Sequence, residues 1–96
     1  MRENIIRQKF RNAFLPDEIW FAPRVKWIEC DIFSVFDCVK WDTRTGEISF
    51  WQLTTISNIS ARIKKIKARI GNRKFGCPMF VAGWNKKKKQ FKIIRI

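Results

Sequence analysis

Four isoleucines, Ile59, Ile63, Ile66 and Ile70, recur at helical spacing between two strand-like runs, and this stripe constrains the fold more than any other feature. At 3.6 residues per turn all four share one face, so the segment is an amphipathic helix that must bury that face. Ser57 or Asn58 is placed to cap its start and Gly71 to end it. Before it runs Glu47 to Thr55, with Phe50, Trp51 and Leu53; after it run Met79 to Trp84 and Gln90 to Ile96. All three are rich in aromatic and β-branched residues and read as strands.

The N-terminal half supplies the remaining elements. Arg2 to Leu15 repeats apolar groups at Ile5, Ile6, Phe10, Ala13 and Phe14, a second helix ended by Pro16. Between Trp20 and Trp41 the pattern predicts two strands, about 24–30 and 33–41, with Asp17 and Glu18 as turn residues before them. Asp42-Thr43-Arg44-Thr45-Gly46 is a turn by composition, flanked by Asp42 and Glu47. The expected fold is α/β (α+β): an αβββαβ core with a central mixed sheet flanked by helices and an extra C-terminal strand, all in one domain of residues 1–96.

Charge bounds the function. Of the 96 residues, 1–47 hold eight acids and eight bases, whereas 48–96 hold thirteen bases and no acid, so the whole net charge of +13 belongs to the second half. Such a field attracts polyanions, and nucleic acid is the expected partner. The chain has no histidine and no tyrosine, which excludes His-based acid–base chemistry, Ser-His-Asp triads and His-ligated zinc. The carboxylate, amide, lysine and hydroxyl groups that remain suit a hard cation such as magnesium. Cys30, Cys38 and Cys77 lack paired zinc-type spacing and read as reduced, buried small hydrophobes. No apolar run is long enough to span a membrane or to form a signal peptide, so an intracellular protein, cytoplasmic or nucleoid-associated, is expected.

A four-residue turn, Thr43 to Gly46, pairs Asp42 with Glu47 and, counted back, sets Asp37 opposite Gln52. Opposed β-carbons lie ~5 Å apart, close enough for a carboxylate and an amide oxygen to share one cation. Thr54 shares the face of Gln52.

The residues Asp31-Ile32-Phe33-Ser34-Val35-Phe36-Asp37, then Gln52-Leu53-Thr54, then Ser57-Asn58-Ile59-Ser60-Ala61-Arg62 resemble the PD-(D/E)xK nuclease superfamily, the restriction-endonuclease-like group that includes Holliday-junction resolvases. The resemblance covers nearly the whole chain and implies hydrolysis of phosphodiester bonds, in DNA in preference to RNA, with Mg2+ or Mn2+. It makes Asp37 the motif aspartate, puts Gln52 where the family has an acid, and puts Thr54 where it has lysine. The implied metal ligands are Asp37, Gln52 and the Leu53 backbone carbonyl, with Asp31 and Glu3 as further candidates. Either Lys64 or Lys65 substitutes for the missing lysine, or the domain binds without cutting.

Asp31 lies six residues before Asp37, ~20 Å away along a continuous strand, so it joins the site only if the chain bends. Expected phosphate contacts are Arg62, Lys64 and Lys65, extended by Arg24 and Lys26. The run Lys86, Lys87, Lys88 and Lys89 reads equally as a solvated tip or a backbone clamp. Trp20, Trp27, Trp41, Trp51 and Trp84 read as core and sheet-edge residues rather than stacking platforms. A homodimer would supply the surface that one small subunit lacks. A non-catalytic binding module on the same fold and a basic structural protein of a nucleoprotein particle stand as the alternatives.

Overall fold

The sheet is built around the apolar run that precedes the isoleucine helix. The computed structural model describes residues 3–25, 28–29 and 31–96. In chain order these form α1 (Glu3–Ala13), β1 (Glu18–Phe21), β2 (Arg24–Val25), β3 (Ile28–Glu29), β4 (Cys38–Trp41), β5 (Ile48–Thr55), α2 (Ile59–Ile70), β6 (Met79–Asn85) and β7 (Gln90–Arg95). Five strands make one mixed sheet in the order β1-β4-β5-β6-β7; only the β5–β6 pair, joined through α2, is parallel. This is an α+β fold with a central mixed sheet and a helix on each face.

Alternation along β5 creates the two faces. Trp51 and Leu53 pack with Cys38, Ala82 and Trp84 against Ile6 and Phe10 of α1. Phe50 and Val81 pack on the other side with Ile59 and Ile66 of α2. Helix α2 approaches so closely that a β-carbon on Gly83 would lie 2.5 Å from Ile59 Cδ1; a strand glycine is what admits the helix.

Several expectations change. The strand expected at 24–30 is two short strands, β2 and β3, paired with each other in a separate two-stranded sheet. The edge strand of the main sheet is β1 instead, so Glu18 is a strand residue; Asp17 closes a turn as expected, its N–H donating to Phe14 C=O at 2.8 Å, and its side chain is buried against Lys40. The strand expected at 33–41 starts only at Cys38, because residues 31–36 turn back through an Ile32–Phe36 bridge. Helix α2 is entered through a 3-10 turn, Ile56–Asn58, and neither expected cap donates or accepts at its start: Asn58 Nδ2 donates instead to Thr55 Oγ1 at 3.2 Å. Gly71 ends α2 as expected, at φ 61°.

Trp51 and Trp84 are core residues, whereas Trp20 and Trp41 are exposed; Trp27 lies outside the described residues. Cys38 is buried and its thiol is pushed far up by desolvation and by neighbouring Asp37. Cys77 is half-buried rather than fully so, and Cys30 lies outside the described residues. Among the described residues no helix is long and apolar enough to cross a membrane.

Candidate metal and nucleic-acid site

The hairpin register is the one expected. Asp42 N–H donates to Glu47 C=O at 2.9 Å, and Cys38 stands opposite Trp51. The ladder then stops one pair short of Asp37–Gln52. Asp37 N–H donates to Trp51 C=O at 2.8 Å, its own carbonyl accepts from Ala22 N–H at 2.7 Å, and the chain upstream turns away. The Asp37 side chain takes over where β4 ends: its Oδ2 accepts from Leu53 N–H at 2.7 Å. A ladder position normally filled by a neutral carbonyl is thus filled by a carboxylate.

An arginine meets this carboxylate. Arg7 of α1 reaches within 3.8 Å of Asp37 Oδ1 while donating to Ala22 C=O at 2.9 Å. No sequence motif marked Arg7; it stands one residue beyond the buried stripe of Ile6 and Phe10, and only the docking of α1 aims it here. The isolated Ile32–Phe36 bridge supplies the bend that Asp31 requires: the chain reverses between Asp31 and Asp37, so the two are not ~20 Å apart along a continuous strand.

Gln52 is the neighbour of the amide that Asp37 grips, and it is 4% exposed. Its Oε1 is buried without a hydrogen-bond partner. Such an orphan costs about 1–3 kcal/mol and is rare unless it serves a function. Leu53 directs its C=O to the same side as its N–H, as paired strand residues do, so the expected backbone ligand faces the Asp37 edge. Thr54, also buried, lies on the Gln52 face opposite Gly83. Glu3 begins α1. Among the described residues, no three His, Cys, Asp or Glu side chains cluster as a metal group.

Helix α2 separates the two lysines proposed as surrogates. At 100° per residue, Arg62, Lys65 and Arg69 occupy one flank of the isoleucine stripe, and Lys64 and Lys67 the other. Arg69 lines a groove with Phe33, on the side of the Asp31–Asp37 segment, whereas Lys67 lines one with Met79 and Ile96, on the β7 side. Half-buried Arg62 and exposed Lys65 therefore lie on the flank toward the Asp31–Asp37 segment, and exposed Lys64 on the flank toward β7.

β7 starts where β6 ends, beyond the level of Thr55, whereas β4 starts opposite Trp51 in the middle of β5, so the lysine run lies farther along the direction of β5 than Asp37 does. Lys86 to Lys89 are all exposed on a turn held by Asn85 Oδ1, which accepts from Lys87 and Lys88 N–H at 3.1 Å. Arg24 belongs to β2, and Lys26 lies outside the described residues. No protein-family model, curated protein or solved structure matches this chain.

Proposed function

We propose that this domain is a metal-dependent nuclease of the PD-(D/E)xK type that hydrolyses phosphodiester bonds, in DNA in preference to RNA. The observation that carries the reading is the orphaned Gln52 Oε1, buried beside the backbone amide that Asp37 holds. A charged and a neutral oxygen in one buried place form the donor set of a hard cation, and two protein ligands with a backbone carbonyl suit magnesium or manganese, which complete their shells with water and phosphate. Asp37, Gln52 and the Leu53 carbonyl would hold the ion, with Asp31 across the bridge. When bound, it polarises a phosphoryl oxygen and makes water a competent nucleophile near neutral pH.

The protein's own groups do the rest. Arg62 and Lys65 orient the phosphate and meet the charge that develops on it, a duty that uncharged Thr54 cannot perform. Lys86 to Lys89 hold the backbone farther along the direction of β5, a sequence-independent contact. The second reading, a binding module that does not cut, draws on Thr54 and on the lack of a three-acid cluster among the described residues.

The test is incubation of the protein with plasmid, single-stranded and branched DNA in magnesium or manganese. Asp37→Asn is the informative variant, because it keeps an acceptor for Leu53 N–H while removing the charge. Cleavage should disappear while binding persists or strengthens, since the loss of a negative charge favours a polyanion. Undiminished cleavage by Asp37→Asn would overturn the site, and wild-type protein that binds DNA but neither cuts nor takes up metal would establish the binding module.

A further inference from the structure

Phe33 stands out in the segment leading to Asp37. It is 56% exposed, and both Phe33 (φ 51°) and Ser34 (φ 67°) adopt the left-handed backbone that side chains other than glycine avoid. Strain of this kind persists where the surroundings enforce it and gathers at ligand-holding sites. Here it is spent on presenting an aromatic ring to solvent. One side of that ring rests on Phe50 and Phe75, with centroids 6.0 and 5.9 Å away.

Around the ring lies a groove of about 210 Å³ formed by Phe33, Phe75 and Ile70 with Arg69, Arg73 and Lys74. The lining holds three cations and no acid. Arg73 is held in place by donating to the Ile70 and Arg69 carbonyls at the end of α2. The volume is below the ~300–1,000 Å³ of pockets for drug-sized molecules, which suits one flat ring rather than a larger ligand. An aromatic wall with cations alone around it is complementary to a base carrying a phosphate.

We infer that the Phe33 groove takes an unstacked nucleobase, with its phosphate on Arg69, Arg73 or Lys74, from the strand held at Asp37 and Gln52. Phe50, against which Phe33 rests, lies two residues from Gln52 on the same face of β5, ~7 Å along the strand. The groove is therefore one to two nucleotides from the scissile position. The substrate this selects is single-stranded or locally unpaired nucleic acid, because a base inside a duplex cannot reach the ring. The inference rests on the nucleic-acid reading above but requires no cleavage.

The experiment is a fluorescence-anisotropy titration at fixed salt in EDTA, with a labelled single-stranded oligonucleotide, the same strand with consecutive abasic sites, and a duplex. Wild type should prefer the intact single strand. Phe33→Ala should weaken that complex roughly 5- to 100-fold, the range of base–aromatic stacking, and leave the abasic complex unchanged; Phe33→Trp should restore affinity. Arg69→Ala should weaken the intact and abasic complexes alike. Circular dichroism melts establish that each variant is folded. Equal loss on both strands, or no loss with Phe33→Ala, overturns the groove while leaving the nuclease reading intact. Wild type that binds none of the three overturns both.

Discussion

Among the described residues two acids, Asp17 and Asp37, are buried, and their surroundings differ. Asp17 lies against the Lys40 ammonium at 2.9 Å, and that ammonium also stands over the rings of Phe14 and Trp51, 4.8 and 5.7 Å from their centroids. The charge is met at contact distance inside an aromatic enclosure. Asp37 has the Arg7 guanidinium at 3.8 Å, gives one oxygen to a backbone amide, and has the orphaned acceptor of Gln52 nearby. Asp17 has an ammonium at contact distance while its Oδ1 stays buried without a hydrogen-bond partner; Asp37 has a guanidinium farther off and a second buried acceptor, Gln52 Oε1, beside the amide it holds. Burial of an acid alone therefore does not mark a site. What distinguishes Asp37 is the second oxygen donor, Gln52 Oε1, next to the amide it grips.

The largest effect should come from the Asp17–Lys40 pair. Lys40→Met leaves Asp17 buried without its ammonium and should cost about 3–5 kcal/mol in urea unfolding, much of which Asp17→Leu recovers in the double variant. Asp37→Asn should cost far less, because Leu53 N–H keeps an acceptor. Equal losses from the two single variants would erase the distinction between the sites.

Gln52→Leu sharpens it from the other side. Replacing the orphaned amide with an apolar group of similar shape removes a desolvation penalty of about 1–3 kcal/mol. The variant should be more stable than wild type, with Tm higher by ~4 °C or more, and inactive. Stability bought by destroying a residue is the sign of one kept for function. A lower Tm would mean that Gln52 is satisfied and structural.

The smallest effect concerns an exposed acid, as the contrast to both. Asp42 Oδ1 accepts from Arg44 and Thr45 N–H at 2.9 and 3.3 Å, and these backbone hydrogen bonds hold its carboxyl below the ordinary value. A depressed folded value stabilises above the unfolded aspartate value of ~3.9 and is lost as pH falls through the folded one. The stability gap between wild type and Asp42→Ala should thus be full at neutral pH and close in acid. A gap that widens in acid would reverse the assignment.

Much of the frame is determined by the sequence itself, through local physics. The isoleucine stripe is buried at Ile59 and Ile66, Gly71 stops the helix, and the four-residue turn sets Cys38 against Trp51 as counted. These follow from helix period, glycine backbone freedom and turn length, each decided within a few residues. Asp37 and Gln52 were legible for the same reason, since a hairpin is a local structure.

What required the tertiary structure was every contact made over distance or against local preference. The pairing of β1 with β4 makes the turn residue Asp17 half of a buried ion pair as well, because a lysine 23 positions away arrives beside it. Arg7 reaches Asp37 only once α1 is docked, and the packing of α2 decides that Lys65 rather than Lys64 lies on the flank toward the Asp31–Asp37 segment. The left-handed turn at Phe33 and Ser34 defeats sequence reading altogether, since no short-range preference favours it. The Ile32–Phe36 backbone hydrogen bonds and the packing of Phe33 on Phe50 and Phe75 hold it there.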